Sequence, residues 1–495
     1  VAWPQDCHLI IIFEVDTPRS GDPMPTPSSA AQDLVLKRVR ALLRGRLAGR
    51  RWLVSADVLP ATNALVAQLQ ELGAEGVFAL AGSQGTGPGP SCAHAELGAH
   101  GAGMMEGIRV SQAALEAPLP PAVQAQVDGF DPTGEARVLR CLFATDAPVA
   151  GRAAWGSRPL AWRELEDKTT VDAFWDAVGV VRAPAEVVAP GEAPAAHQRL
   201  DQGAGTVWAL DNREGWHGGA HGLRWVRGAA DCTEAVTWAE ARARRLRVMP
   251  FLEGVPCSIH GIVFADHVVA LRPCEMVVLR RPGTLRFSYA QAATFWDPEP
   301  RDRAAMRELV RRVGRHLRET VGYRGVFTVD GVMSREGFRP TELNPRFGGA
   351  IGKLSGSLPE LPLYLLHLAL VEEARTEAPP ADWGAQELEA VLLEAADRHR
   401  RGGAMQILSA CRDTTETHSL VHDDDGWRLA DPDEAPHATV RIGPAASGGI
   451  VLVSLSPDHT PVGPPVGPRV VEIFAGLDAE LGLGIGALVA ARQVR

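Results

Sequence analysis

The chain lacks most of the features that mark a disulfide scaffold, a membrane protein or a nucleic-acid binder. Its seven cysteines among 495 residues (Cys7, Cys92, Cys141, Cys232, Cys257, Cys274 and Cys411) form no close pair and no metal-ligand spacing. That sparse, odd set disfavours a structural zinc site and fits a reducing, cytoplasmic setting. No apolar run approaches the roughly 20 residues that cross a bilayer. Ile10 to Phe13 therefore reads as a buried strand, and no membrane partner is expected. Basic residues are in deficit, with 50 Lys and Arg against 60 Asp and Glu and a formal charge of -10. Without a basic footprint, nucleic acid is not an expected partner. Six arginines between Arg38 and Arg51 alternate with apolar residues, as on a helix with one solvated face.

Familiar catalytic signatures are also missing. The Gly82–Pro90 stretch, GSQGTGPGP, has neither the Lys-Ser/Thr ending of a P-loop nor the G-x-G-x-x-G spacing, and reads as a turn. No serine occupies a G-x-S-x-G elbow, and Asp330-Gly331-Val332 is preceded by no H-R-D-type segment. No repeat of 20 to 50 residues is visible. Chemistry must then rest on metal, phosphate and positioning.

The composition is that of a globular protein, 45% hydrophobic and 22% charged. At roughly 100 to 200 residues per domain, the length suggests about three domains. Residues 1–150 alternate strand and helix patterns: strands at His8–Val15, Arg51–Ser55, Gly76–Leu80 and Arg137–Ala144, and helices at Gln32–Leu47 and Ala61–Leu72. Such alternation predicts parallel βαβ units. Residues 151–375 open on a helical pattern at Leu165–Val178. A linker-like Glu373–Asp382 leads into residues 376–495, where a helix at Glu387–His399, strands at Thr415–Val421, Thr439–Ile442 and Ile450–Ser454, and a helix at Val470–Leu483 predict a smaller α+β region.

The most informative segment is Val326–Gly349, VFTVDGVMSREGFRPTELNPRFGG. Two apolar strands flank a turn at Ser334–Gly337, so a hairpin is expected. It brings Asp330 beside Glu342-Leu343-Asn344, and the two-residue period of a strand puts Glu342 and Asn344 on one face. Three hard oxygen ligands suit Mg²⁺ that keeps waters and substrate phosphates. Arg346 follows, placed to neutralise a phosphoryl group or an oxyanion.

This segment resembles the magnesium end of the ATP-grasp superfamily, where an acidic residue and an E-x-N pair hold the metals that bridge the ATP phosphates. The resemblance covers about residues 160–370. It implies metal ligation by Asp330, Glu342 and Asn344, with two Mg²⁺ ions that Mn²⁺ can replace. RVMPFLEG at Arg247–Gly254 matches the adenine-reading hinge, with Met249, Pro250, Phe251, Leu252 and Glu253 at the nucleotide. DNREGWHGGAH at 211–221 matches the glycine-rich flap over the phosphates, through Gly215, His217, Gly218, Gly219 and His221. Lys168 matches the first ATP-contacting lysine and, with Arg346 and Arg272, the catalytic set. The second lysine has no counterpart on Val207–Leu210, and Arg224 or Arg272 is expected to supply its charge. Ser258 and His260, on one strand face, are further candidates for ribose or substrate, and Lys353 for substrate. HDDDG at 422–426 is expected to be a hairpin turn, not a second metal site.

The fold class implied is α/β, with an N-terminal α/β region before a two-lobed core and a smaller α+β C-terminal region. The activity implied is ADP-forming joining of a carboxylate to an amine through an acyl phosphate. The whole layout resembles the peptide ligases of pheganomycin-type natural-product pathways, which makes small-molecule carboxylates and amines or peptides the expected partners, with a homodimer admitted. An amidine-forming or cyclising enzyme of the same fold, and an inactive nucleotide-binding regulator, remain alternatives.

Overall fold

The computed structural model describes residues 30–99, 101, 104–140, 146–212, 215, 217–376, 379–445 and 448–495. The strand expected at His8–Val15 and the second half of the one expected at Arg137–Ala144 lie outside them. After α1 (Ala30–Leu47), β1 (Arg51–Val58), α2 (Asn63–Glu71), β2 (Gly76–Ser83), β3 (Ala93–Glu96), α3 (Met104–Glu116), α4 (Pro121–Phe130) and β4 (Arg137–Arg140) build the first unit. The sheet runs β3-β2-β1-β4 with every pairing parallel, as the alternation predicted. β3, α3 and α4 had no sequence counterpart.

Of the helix expected at Leu165–Val178 only the second half forms, as α6 (Val171–Val178), and a separate short helix, α5 (Leu160–Glu164), ends just before it. The interruption has a local cause. Asp167 Oδ1 accepts from the Thr169 backbone N–H and hydroxyl at 2.8 and 2.7 Å, a turn that competes with helix. Lys168 therefore lies in this turn and not on a helix.

The next unit contains β5 (Glu186–Val188), α7 (Ala193–Leu200), β6 (Thr206–Leu210), β7 (Leu223–Val226), α8 (Ala229–Glu240) and β8 (Leu246–Pro250), with an antiparallel sheet in the order β5-β8-β6-β7. One face of this small lobe buries Trp208, Val226 and Val248 against α7 and α8. The other faces the central sheet of β9 (Gly254–Val263), β10 (Val268–Ala270), β11 (Cys274–Arg280), β12 (Phe287–Ala293), β13 (Gly325–Ser334) and β14 (Gly337–Asn344). β8 leads through the three residues 251–253 into β9 at Gly254, where φ is +149° and a Cβ would stand 2.1 Å from the Met333 carbonyl oxygen, so no larger residue fits.

Period-two alternation sorts the central sheet. Ile259, Phe327, Val329 and Leu343 pack with α9 (Pro300–Val321), while Ser258, Thr328, Asp330, Glu342 and Asn344 point to the opposite face. Behind follow α10 (Ile351–Gly356), α11 (Leu363–Thr376) and α12 (Ala385–Arg398), whose apolar faces join those of α1 and α2 in one continuous cluster. The last unit is an antiparallel sheet, β15 (Gly403–Leu408), β16 (Glu416–Asp423), β17 (Gly426–Leu429), β18 (Ala438–Pro444) and β19 (Gly449–Leu455), covered by α13 (Gly467–Leu481). Asp423 pairs with Gly426 across the expected HDDDG hairpin. The α/β class, the two-lobed core and the flanking N- and C-terminal regions agree with the sequence reading. Among the described residues, no helix is long and apolar enough to cross a membrane, and every cysteine is a free thiol.

Candidate active site

A cavity of about 230 Å³ opens between the small lobe and the central sheet. Three segments singled out from the sequence meet in its wall: the flap through His217, Gly218, Gly219 and His221, the hinge through Met249, Phe251, Leu252 and Glu253, and the sheet face carrying Asp330, Glu342 and Asn344.

On that face the antiparallel register sets Asp330 opposite Glu342 and Thr328 opposite Asn344. Ser258 on β9 faces Asp330 and donates its hydroxyl to Oδ1, while Asn344 Nδ2 donates to Oδ2 at 2.8 Å. Asp330 retains a face open to the cavity but is otherwise surrounded by protein. This burial, followed by the neighbouring Glu342 charge, raises its pKa. Directly opposed carboxylates repel one another. Lys168 Nζ relieves Glu342 at 2.8 Å, and among the described residues no cation pairs directly with Asp330.

This donor set suits a small divalent cation. Two opposed carboxylates with an amide beside them at the edge of a cavity offer hard oxygen and excess negative charge. Among the described residues, no three His, Cys, Asp or Glu side chains gather as a metal site. Asp330 and Glu342, with Asn344, would hold an ion only if phosphate oxygens and waters completed its shell. Asn344 Oδ1 currently accepts from Arg346 Nη2 at 2.9 Å.

Arg346 is fixed from behind. Its Nε donates to Glu166 Oε2 at 3.1 Å, and Arg158 donates both to Glu166 Oε1 and to the Pro345 carbonyl. Burial opposes the Glu166 charge, but the two guanidiniums outweigh it and hold the carboxyl at about 2. The result is a preset cation beside the acidic face of the cavity.

Flap geometry follows from its glycines. Gly219 has φ +60° and Ala220 φ +67°, and Gly222 has no Cβ where one would stand 3.1 Å from the His217 ring. His217 Nε2 lies 3.0 Å from the Asp211 carbonyl, and Nδ1 is buried without a partner. Burial and then the Lys168 charge lower its pKa to about 4, so the imidazole is neutral at pH 7. Gly215 closes a turn onto the Asn212 carbonyl outside the cavity wall. Pro250 is likewise outside the wall, inside the β8 pairing with Thr206.

Two expected cations are placed elsewhere. Arg224 shares a rung with Trp208 and Val248, the row that faces the helices, and its guanidinium lies 3.9 Å from the Trp238 ring centroid on α8. Arg272 is buried outside the wall, paired with Asp397 on α12 and with Asp297. Neither of the two arginines expected to replace the second lysine lines the cavity: strand parity turns Arg224 toward the helices, and the two carboxylates hold Arg272 outside the wall. Sequence reasoning missed Arg247, which lines the cavity with Lys168, Arg280 and Arg346. Its signal was its phase: Arg247 and Met249 share a strand face. His260 is fully buried beneath the site with both ring nitrogens unpartnered, and Lys353 on α10 lies outside the wall.

No family model matches the chain, and no curated protein matches it. Among solved structures it is similar to an L-amino acid ligase from Bacillus licheniformis, at 11% identity and TM-score 0.49, over 90% of this chain and 99% of that one. A biotin carboxylase from Campylobacter jejuni is similar at 10% identity and TM-score 0.48, over 90% and 94% of the two chains. An N5-carboxyaminoimidazole synthase from Aspergillus clavatus, in complex with ADP and an aminoimidazole ribonucleotide, is similar at 13% and 0.44, over 87% and 98%. Every one of these values is too low to carry activity across, and function rests on the site's own geometry.

Proposed function

We propose that this chain is an ATP-grasp ligase that uses ATP and Mg²⁺ to join a carboxylate to an amine, releasing ADP and phosphate. The observation that carries the reading is the convergence of flap, hinge and Asp330–Glu342–Asn344 face on one cavity. A nucleotide base would lie against Phe251 and Leu252, and its phosphates would extend beneath Gly218 and Gly219 toward the acidic face. Mg²⁺ held by Asp330 and Glu342, with Asn344, would supply charge neutralisation for phosphoryl transfer.

The chain's own residues account for the rest. Lys168, already at Glu342, is free to shift its ammonium toward phosphate oxygens once a metal balances that carboxylate. Arg346, locked by Glu166, offers a fixed guanidinium for charge developing on the transferred group or on the tetrahedral centre. The flap excludes water, which an acyl phosphate requires if the amine is to capture it. Peptide or amino-acid substrates of the kind handled in natural-product assembly are the substrate class we favour, on the resemblance in layout.

The test is a product assay across carboxylate and amine pairs, with nucleotide and mass of the condensed product read together. ADP and phosphate in equal amounts, formed only with both substrates, are expected. Stoichiometric AMP and pyrophosphate would overturn the proposal.

A further inference from the structure

A polyanion beneath the flap needs positive charge from the small lobe as well as from the central sheet, since unpaired charge in a closed cavity is costly. β6 supplies none, because Val207 and Ala209 are its cavity-facing residues. The register shows where charge is available. Leu223, Ala209 and Arg247 form one rung across β7, β6 and β8, and all three line the cavity. Arg247 is thus a cation one strand away from Ala209, on the same face, with only a methyl group between its strand and the flap.

Its hydrogen bonds are lopsided. Nε and Nη2 are held by the two oxygens of Asp172 on α6, at 2.8 and 2.7 Å. Nη1 meets only Met249 Sδ at 2.9 Å, a weak acceptor for a side chain 2% exposed. The carboxylate fixes two nitrogens of the fork and leaves the third short of a strong acceptor at the cavity wall. Resting on the nucleotide reading above, we infer that Arg247 is the small-lobe phosphate-binding residue, donating from Nη1 to a phosphate oxygen, and that Asp172 is its positioning residue. No bond is made or broken in this step. A charge-assisted hydrogen bond replaces a thioether contact.

The experiment is a calorimetric titration of ADP and of adenosine into three proteins. They are the wild type, the double variant Asp172→Asn with Arg247→Met, which removes both charges so that neither is left buried alone, and that double variant carrying Ala209→Lys. Loss of one such contact predicts about 10- to 100-fold weaker ADP binding in the double variant, with adenosine changed by less than about two-fold. Ala209→Lys, which returns a cation to the same rung, should restore most of the ADP affinity. A double variant whose preference for ADP over adenosine equals that of the wild type, or a lysine at 209 that restores nothing, would overturn the assignment while leaving the nucleotide reading intact. Wild-type protein that binds no ADP would sink that reading and this assignment with it.

Discussion

Glu166 shows how much the site depends on one buried carboxylate. Arg158 and Arg346 share it, all three are buried, and breaking such a group strands a charge in a medium that cannot hydrate it. Its pKa is held at about 2 against an ordinary 4.5. A depressed carboxylate stabilises the fold above its unfolded value and loses that contribution as pH falls through the folded one. The window is therefore from about 4.5 down to about 2. Two to three pKa units correspond to about 3 kcal/mol. Glu166→Gln should cost that order of stability at pH 7 in denaturant titrations and much less at pH 2. An equal loss at both values would contradict the assigned ion pairing. Glu342→Gln belongs to the same scale with the opposite signature. Glu342 borders the cavity and its partner Lys168 can rehydrate, so the melting temperature should stay near wild type. Turnover should fall by about 100-fold or more, as when one preorganised electrostatic group is removed. Normal turnover in E342Q, measured by ADP release at saturating Mg²⁺, would remove Glu342 from the metal set.

At the scale of elements, the decisive unit is the strand rung. Arg224 and Arg247 are both buried arginines of the small lobe, yet one faces α8 and the other the cavity. Arg224→Met should leave ADP affinity unchanged and lower stability by about 1–2 kcal/mol, the worth of a desolvated cation over a tryptophan. A large loss of affinity in that variant would show that the lobe's faces are assigned the wrong way round. The same contrast explains what the sequence disclosed. The β13–β14 hairpin was legible because its alternation, its polar turn and its acidic residues agreed, and the register joined Asp330 to Glu342 as that period required. The segments 211–221 and Arg247–Gly254 stood out through the family resemblance more than through their own pattern, and both reach the cavity wall. The face of Arg224 was not legible, because parity says which residues share a side and not which side the helices cover. Nor was the break between α5 and α6, where the Asp167 side chain outcompetes a good helical pattern.

Across the whole molecule, the cavity wall draws on segments far apart in sequence. Buried Glu275 on β11 accepts from the N–H groups of Val466 and Gly467 at the start of α13, at 2.6 and 2.9 Å. Arg280 and Val489 exchange backbone hydrogen bonds, which brings Ala491 to the cavity. Arg495 reaches back to Asp302 on α9. None of these joints has a local pattern, so the sequence divided the chain into units but could not say that the last segment completes the wall. The proposed function stands or falls on whether a nucleotide and a divalent ion can occupy this cavity together. A crystal structure grown with a non-hydrolysable ATP analogue and Mg²⁺ tests it most directly. The base is expected against Phe251 and Leu252, the phosphates beneath Gly218 and Gly219, and the metal between Asp330 and Glu342. A nucleotide bound elsewhere, or a metal that avoids both carboxylates, would contradict it.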